Sequence, residues 1–437
     1  MILKYFWPQG PVRTPSQLAS WRKASRASLF LLLLSFSTFL QAQTPTPPVA
    51  ITMDEAVALA KQQNPALLAS RQNLYSVKAL EEQAAVRQNP NLGITGSDVT
   101  LSAENPANPY TYSAQLSRLF ERGQKRRWRV DIAKSTTAQT EAQYHDQERG
   151  VVLSVRQAFT NFVLAKAAKK LADDNLKDYR HELEISNDRY KAGDIAKLDY
   201  ERLDLQLAQF ESDLANALQN LVQASDQLQT LIGYEKPRAD FDVIGDIVPP
   251  AITTPLPDLE QKALDNRPDY QAAKLGVNVA DANVKLAYAN GTADPTLEGE
   301  YDRTASYNSA GFSLNIPIRI FDRNQGNKKS SEFSAASSRL SEIAARNQVN
   351  SDVDQAWIVY TTSKGLSDRY NGHYLAEAKD VLEIAQFSYE HGGLALLDYL
   401  DALRDFRSTS SDALNAYAAT WLAIHQVSYA AATDVVP

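Results

Sequence analysis

The 437 residues contain no cysteine. That excludes disulfides, thiolate metal sites, a cysteine nucleophile and a lipid-modified N-terminal cysteine, so any membrane attachment has to be non-covalent. Glycine (17) and proline (19) are scarce, and Pro8, Pro11, Pro15, Pro45, Pro47 and Pro48 all precede residue 50, which leaves the remainder depleted in helix breakers. After the initiator only Met53 remains, which argues against a methionine relay for soft metals. No apolar run reaches the roughly 20 residues that a membrane helix needs. Positive charge is not in excess either: 45 Lys+Arg against 52 Asp+Glu give a net charge of -7, which disfavours a nucleic-acid partner. Core-forming material is plentiful at 44% hydrophobic residues, and the chain is long enough for several domains.

The N-terminus reads as an address. Arg22, Lys23 and Arg26 precede a short apolar run, Leu29 to Leu40, closed by Leu40-Gln41-Ala42. This is the pattern of a secretory signal peptide over residues 1–42, cleaved after Ala42, with a retained anchor as the alternative.

The remainder is written twice, at an offset of about 200 residues. Asn64-Pro65 returns as Arg267-Pro268, Asn89-Pro90-Asn91-Leu92 as Asp294-Pro295-Thr296-Leu297, and Phe120-Glu121-Arg122 as Phe321-Asp322-Arg323. Tyr190-Lys191-Ala192-Gly193 matches Tyr389-Glu390-His391-Gly392, and Leu198-Asp199-Tyr200 matches Leu397-Asp398-Tyr399. The copies occupy residues 43–233 and 258–437, joined by a proline-rich connection, 234–257, whose composition suits a surface linker.

Each copy has one internal plan. Thr52 to Arg87 has helical spacing, opened by a Thr52/Glu55 capping box. A β-hairpin follows at 92–119, in which Tyr110, Tyr112, Ala114 and Leu116 alternate with Thr111, Ser113, Gln115 and Ser117. Its counterpart at 296–320 alternates Ala310, Phe312, Leu314, Ile316 and Ile318 with Gly311, Ser313, Asn315, Pro317 and Arg319, against Leu297, Gly299 and Tyr301. Proline-free stretches then predict long helices. Gln124 to Lys191 would extend about 100 Å at 1.5 Å per residue. On the return, Leu203, Leu207, Phe210, Leu214, Ala217, Leu221, Ala224, Leu228 and Leu231 form a heptad seam, so each copy is a helical hairpin with a turn near 193 or 392 and a β-hairpin at its far end.

Four strands of this length with one apolar and one polar face suit a membrane wall, but four cannot close a barrel. Three chains would supply twelve strands and remove the open edges, which points to a homotrimer; a small soluble sheet capping a coiled coil is the other reading. The expected fold class is mainly α with a membrane β part.

The duplication, the Asn64-Pro65 and Pro90-Asn91-Leu92 landmarks, the paired Tyr-x-x-Gly turns followed by Leu-Asp-Tyr, and Ile316-Pro317 leading into Phe321-Asp322-Arg323-Asn324-Gln325-Gly326 together resemble the TolC-type outer-membrane efflux family. The last string is most like its CzcC-like heavy-metal branch. The resemblance spans about Val49 to Ala431 and implies a trimeric outer-membrane β-barrel continuing into a periplasmic α-barrel, docked by a periplasmic adaptor and fed by an inner-membrane pump of the resistance-nodulation-division (RND) class. A duct for drugs or for type I protein secretion is the alternative within the family. A periplasmic structural coiled coil or adaptor is the alternative outside it. Some relatives carry a lipid on an N-terminal cysteine, which this chain lacks.

Three groups of residues are candidates for function. Asp398 and Asp401, three apart on a helix, would place six carboxylates around a threefold axis, at positions that in the family constrict the periplasmic mouth. Tyr389 and Asp199 are candidates for a hydrogen bond between neighbouring hairpins; Leu394 stands where the family often has a basic residue, so a salt-bridge lock is not expected there. Ala192, Gly193, Asp194, Ile195, Gly392, Gly393 and Leu394 would form the adaptor-docking tips, small residues permitting close approach and apolar ones supplying burial. Arg122, Lys125, Arg126, Arg127, Trp128 and Arg129, with Arg319, Arg323, Lys328 and Lys329 in the second copy, read as a basic belt at lipid head groups, a solvated face being the plainer alternative. Enzyme chemistry has no foothold: the five histidines are scattered, His181-Glu182 lacks a second histidine at zinc-binding spacing, and no phosphate loop occurs. No cofactor and no resident metal site are expected.

Overall fold

A computed structural model describes residues 50–97 and 110–436. The signal pattern and the tip of the first β-hairpin lie outside these residues. The first half runs β1 (Ala50–Ile51), α1 (Met53–Gln63), α2 (Pro65–Ala85), β2 (Asn91–Ser97), β3 (Thr111–Leu119), α3 (Lys125–Ala192) and α4 (Lys197–Ile232). After β4 (Asp242–Val243) the order returns as α5 (Leu256–Asn266), α6 (Pro268–Asn290), β5 (Thr296–Thr304), β6 (Tyr307–Asn315), α7 (Gln325–Arg369), a π-helical turn (Tyr370–Tyr374), α8 (Leu375–Glu390) and α9 (Leu396–Ala431).

The helix expected over Thr52 to Arg87 is in fact two. The capping box at Thr52 and Glu55 is present, but the helix stops at Asn64 because Pro65 has no amide to continue it. Pro65 then opens α2, where its fixed φ is an advantage. Asn64 accepts from the Leu67 amide at 3.1 Å and donates to the Leu231 carbonyl at 2.8 Å, so the break also ties α2 to the end of α4. In the second copy Arg267 occupies this corner, 3% exposed, with Asp269 at 2.6 Å and Asp352 at 2.8 Å. The same backbone corner is held by a hydrogen-bonded amide in one copy and an ion-paired guanidinium in the other.

The helix α3 spans 68 residues, as its freedom from proline predicts. It is the spine of the molecule, packing against α2 and α4 of its own half and against α6 and α9 of the other. Of the heptad seam on α4, Leu203, Phe210, Ala217, Ala224 and Leu228 are buried, each large one contributing about 1.5–3 kcal/mol. The matching helix of the second half is not continuous: a π-turn at Tyr370–Tyr374, containing Gly372, admits an extra residue between α7 and α8. The connection 234–257 is not wholly a surface linker either. Phe241 and Val243 are 6% and 2% exposed, packed beside Phe159 and Phe162, while β4 pairs in parallel with β1. Their side chains are apolar enough to return to the core, which the prolines around them conceal.

The four long strands form one antiparallel sheet in the order β2-β3-β5-β6, so the two halves are joined through β3 and β5. Register sets Leu92 opposite Leu116, Ala114 opposite Tyr301, and Gly299 opposite Phe312. Strand β6 ends at Asn315, short of the expected 320, because Pro317 cannot donate to a ladder.

The pocket-lining His425 of α9 is 4% exposed, its Nε2 2.9 Å from Thr160 Oγ1 and its ring stacked on Trp421. Burial pushes its pKa down to about 4. An unfolded imidazole titrates near 6.5, so as the pH falls from about 6.5 to about 4 the unfolded chain takes up the proton first and stability is lost. Replacing it by a non-titrating amide, His425→Gln, is expected to remove up to about 3 kcal/mol of that acid sensitivity, read as the difference between the two proteins' thermal unfolding in detergent from pH 7 to 4.

Candidate functional site

The two turns that end the helical hairpins are built alike. Gly193 has φ +86° and donates to the Arg189 and Tyr190 carbonyls; Gly392 has φ +74° and donates to that of Tyr389. Both conformations lie where side chains other than glycine are strained. Ten residues apart across each turn, tyrosines stack in parallel: Tyr190 on Tyr200 at 5.3 Å and 7°, Tyr389 on Tyr399 at 5.3 Å and 4°. The recurring Tyr-x-x-Gly and Leu-Asp-Tyr strings are thus the two halves of one clamp. Ala192, Gly193, Asp194, Gly392 and Gly393 are exposed, as a docking tip requires, whereas Ile195 is half-buried. Leu394 points inward and packs on the cluster of Leu176, Tyr179, Leu203, Phe210 and Leu396 that joins the two hairpins.

Asp398 and Asp401 are both exposed on the first turns of α9. Asp401 lies 3.2 Å from Arg404, an exposed pair of little energetic weight, so its charge remains largely available. Tyr389 is buried at 7% and its hydroxyl has no hydrogen-bond partner among the described residues; it does not reach Asp199, which is half-buried on α4. Arg189 lies 5.5 Å from the Tyr389 ring. Sequence reasoning missed the neighbour that matters most electrostatically. Glu182 is 7% exposed between the hairpins, one turn from Ser186, which is fully buried with an unpartnered hydroxyl. Burial raises the Glu182 pKa, the nearby Glu390 raises it further, and Arg189 and His181 oppose the shift. The signal was present as an inward stripe of Tyr179, Glu182 and Ser186, spaced three and four apart.

The basic belt divides by role. Lys125 is 6% exposed and unavailable to head groups: its ammonium contacts Asp294 at 2.5 Å and the Thr292 carbonyl at 2.8 Å, tying the start of α3 to the second copy. Arg129 is paired with Glu121, and the cations of Arg127 and Lys285 each lie 5.1 Å from the Trp128 ring. Arg122, Arg126, Arg127 and Arg323 are exposed, as is Lys329, while Arg319 and Lys328 are half-buried. Among the described residues no group of three or more His, Asp or Glu side chains could hold a metal ion.

Above the belt the sheet is inside out. On one face Leu92, Ile94, Tyr112, Leu116, Phe312 and Leu314 are 55–87% exposed with no helix over them. On the other, Thr111 meets Thr304 at 3.1 Å and Gln115 bonds Glu298, and the polar side chains are the more buried. Water would not leave such a face open; hydrocarbon would. No described helix is long and apolar enough to cross a membrane.

A family model described as "Outer membrane efflux protein" matches residues 56–234 and 259–427. The chain belongs to that family. It is 28% identical to the cobalt-zinc-cadmium resistance protein CzcC of Cupriavidus metallidurans, over 81% of this chain and 83% of that one. To the outer membrane protein TolC of Vibrio cholerae it is 24% identical, over 82% and 85%. A crystal structure of CusC shares the fold with a TM-score of 0.75 at 20% identity, covering 91% of this chain and 95% of that one. As an outer-membrane efflux protein the chain is mainly helical with a membrane β part, and the alternative of a small soluble sheet is set aside.

Two outcomes follow from these contacts. Because the folded-state pKa of Glu182 is raised, its ionisation weakens the hairpin contact as pH rises through that value; Glu182→Gln is expected to unfold at higher temperature than wild type at pH 8 and to lose the advantage near pH 4. Asp294→Asn strips a buried ammonium of its carboxylate and is expected to cost about 3–5 kcal/mol in denaturant unfolding, most of it recovered in Lys125→Met with Asp294→Leu.

Proposed function

We propose that three copies of this chain form a passive exit duct of a tripartite efflux system, crossing the outer membrane and reaching back through the periplasm. The observation that carries this is the sheet with an uncovered apolar face and two unpaired edges, mounted on helices of about 100 Å. Strand β6 of one copy beside β2 of the next continues the antiparallel order, and three repeats give twelve strands with no edge left. The two repeats, 43–233 and 258–437, each contribute one helical hairpin to the surrounding wall. Energy comes from an inner-membrane pump of the RND class, and the turns at 192–195 and 392–394 meet a periplasmic adaptor through their exposed residues, Ala192, Gly193, Asp194, Gly392 and Gly393.

Metal cations are the favoured cargo, because the chain is similar to a cobalt-zinc-cadmium resistance protein and to a cation efflux system protein. The polar face of β5 agrees with it, presenting Glu298, Glu300 and Asp302. A cation needs only a wet acidic path here, without tight coordination. The chain acts as a conduit and has no catalytic role in this reading. Asp398 and Asp401 set the resting conductance, with Asp199 and Tyr389 in the shell around the aperture.

The test is planar-bilayer conductance of the detergent-extracted protein beside Asp398→Ala with Asp401→Ala. Wild type should give small currents blocked by divalent cations, and the double variant severalfold larger currents that resist the block. Unchanged conductance and block would remove the gate from these residues. Absence of current from a folded trimer would remove the duct.

A further inference from the structure

We propose that the groove at the foot of β3 binds the phosphate of an anionic glycerophospholipid, in the leaflet facing the helical body, an assignment that rests on reading the sheet as a membrane wall. The groove lies between the end of α2, the end of β3 and the first turn of α3, and encloses about 690 Å³. Arg87, Arg118, Arg126 and Arg127 line it. Among the described residues the first three make no salt bridge, and Arg127 approaches Asp131 only at 3.9 Å with both side chains exposed. The remaining charges there are already engaged, Lys125 with Asp294 and Glu121 with Arg129. Unbalanced guanidinium charge therefore converges on one concave surface, and guanidinium is the side-chain group best matched to phosphate oxygens.

The helix start adds to this charge instead of relieving it. Helix α3 begins after Gln124 in a left-handed conformation, with no side-chain cap and no acidic residue in its first turn. Helix N-termini ordinarily gather carboxylates, since their free amides and dipole are positive. Lys125, Arg126 and Arg127 here work against that dipole, a cost that an arriving anion would offset.

The lipid, as opposed to a free ion, is argued from the walls. Arg118 follows Tyr112, Ala114 and Leu116 on the uncovered apolar face of β3, at the end where the strand meets the helices. Its guanidinium lies 5.2 Å from the ring of Phe120, which is 43% exposed, and Leu119 and Val130 also line the groove. Leu92 pairs with Leu116 immediately above. Acyl chains laid along Leu92 and Leu116 would deliver a head group among the arginines, in the zone where basic and aromatic side chains meet lipid phosphates. In the second copy side chains bridge the equivalent corner: Asn324 donates to the Ala287 carbonyl at 2.7 Å, and Lys328 lies 5.1 Å from the Tyr288 ring. One site per chain is the consequence.

The test is native mass spectrometry of the full chain in detergent, titrated with phosphatidylglycerol and with phosphatidylcholine. Wild type is expected to hold one phosphatidylglycerol per chain, preferred about tenfold or more over phosphatidylcholine. Arg87→Gln, Arg118→Gln, Arg126→Gln should lose that preference. A charge-matched control on the helical body, Lys169→Gln, Lys170→Gln, Lys177→Gln, should keep it. Arg126→Gln alone, at an exposed position that folding does not need, should weaken the lipid severalfold. Equal binding of the two lipids by wild type, full retention by the triple variant, or displacement by excess inorganic phosphate would each overturn the assignment. Conductance is scored separately: a chain that conducts without lipid preference lacks this site, and one that keeps the preference but never conducts has the site and is not a duct.

Discussion

A backbone amide placed in hydrocarbon must find its partner in protein, and the sheet of this chain meets that demand on the inside but not at β2 and β6. Much of the architecture follows from that one requirement. The β-hairpins of the two halves pair with each other through β3 and β5, so the duplicated chain already closes one seam within itself. One kind of seam is left, between β6 and β2, which in the proposed trimer identical neighbours would satisfy. Such a closed ring would fix the radius on which the helical hairpins stand, because every long strand runs directly or through a short loop into a helix.

The junction between sheet and helices carries opposite requirements within a few residues. Inside, Lys125 is desolvated and must keep its carboxylate; outside, Arg118 and Arg126 are exposed and make no salt bridge among the described residues. The buried pair contributes little net stability over an apolar substitute, but it is intolerant of losing one member and so enforces one arrangement of the two halves. The exposed arginines do the reverse: they are costly only while no anion is present. The sign of charge at this level is thus the same across the belt, while its physical role changes with depth.

Much of this was legible in the residues. The seam from Leu203 to Leu231 could be read because a coiled coil repeats its apolar positions regardless of what lies across it, and the extent of α3 could be read because nothing between Pro109 and Pro237 interrupts it. The inside-out sheet was visible for the same reason, since alternation of period two survives whichever face is buried. What stayed hidden depends on tertiary partners. Lys125 looks like any member of a basic run until Asp294 arrives from 169 residues away. Glu182 looks like a solvated helix residue until the second hairpin covers it. The π-turn at Tyr370 leaves no proline or glycine pair to announce it, and Phe241 is masked by the prolines that flank its stretch of chain.

The two copies also show where a duplicated design has diverged. Both turns keep the glycine and the tyrosine stack, since backbone geometry permits few substitutes there. Three residues beyond Asp199 stands Arg202, but three beyond Asp398 stands Asp401. The first turn therefore offers a carboxylate and a cation of opposite sign, the second two carboxylates of like sign, with Arg404 a further turn along. Around the proposed threefold axis the first arrangement would largely cancel and the second would accumulate. Repulsion among like charges rises as they are brought together and is weakest when the aperture is wide, whereas a cation between them reverses the balance. In the proposed trimer a ring drawn from the second copy would gather carboxylates that a cation could draw together, whereas Asp199 of the first copy has Arg202 one turn away and each turn carries its own tyrosine stack.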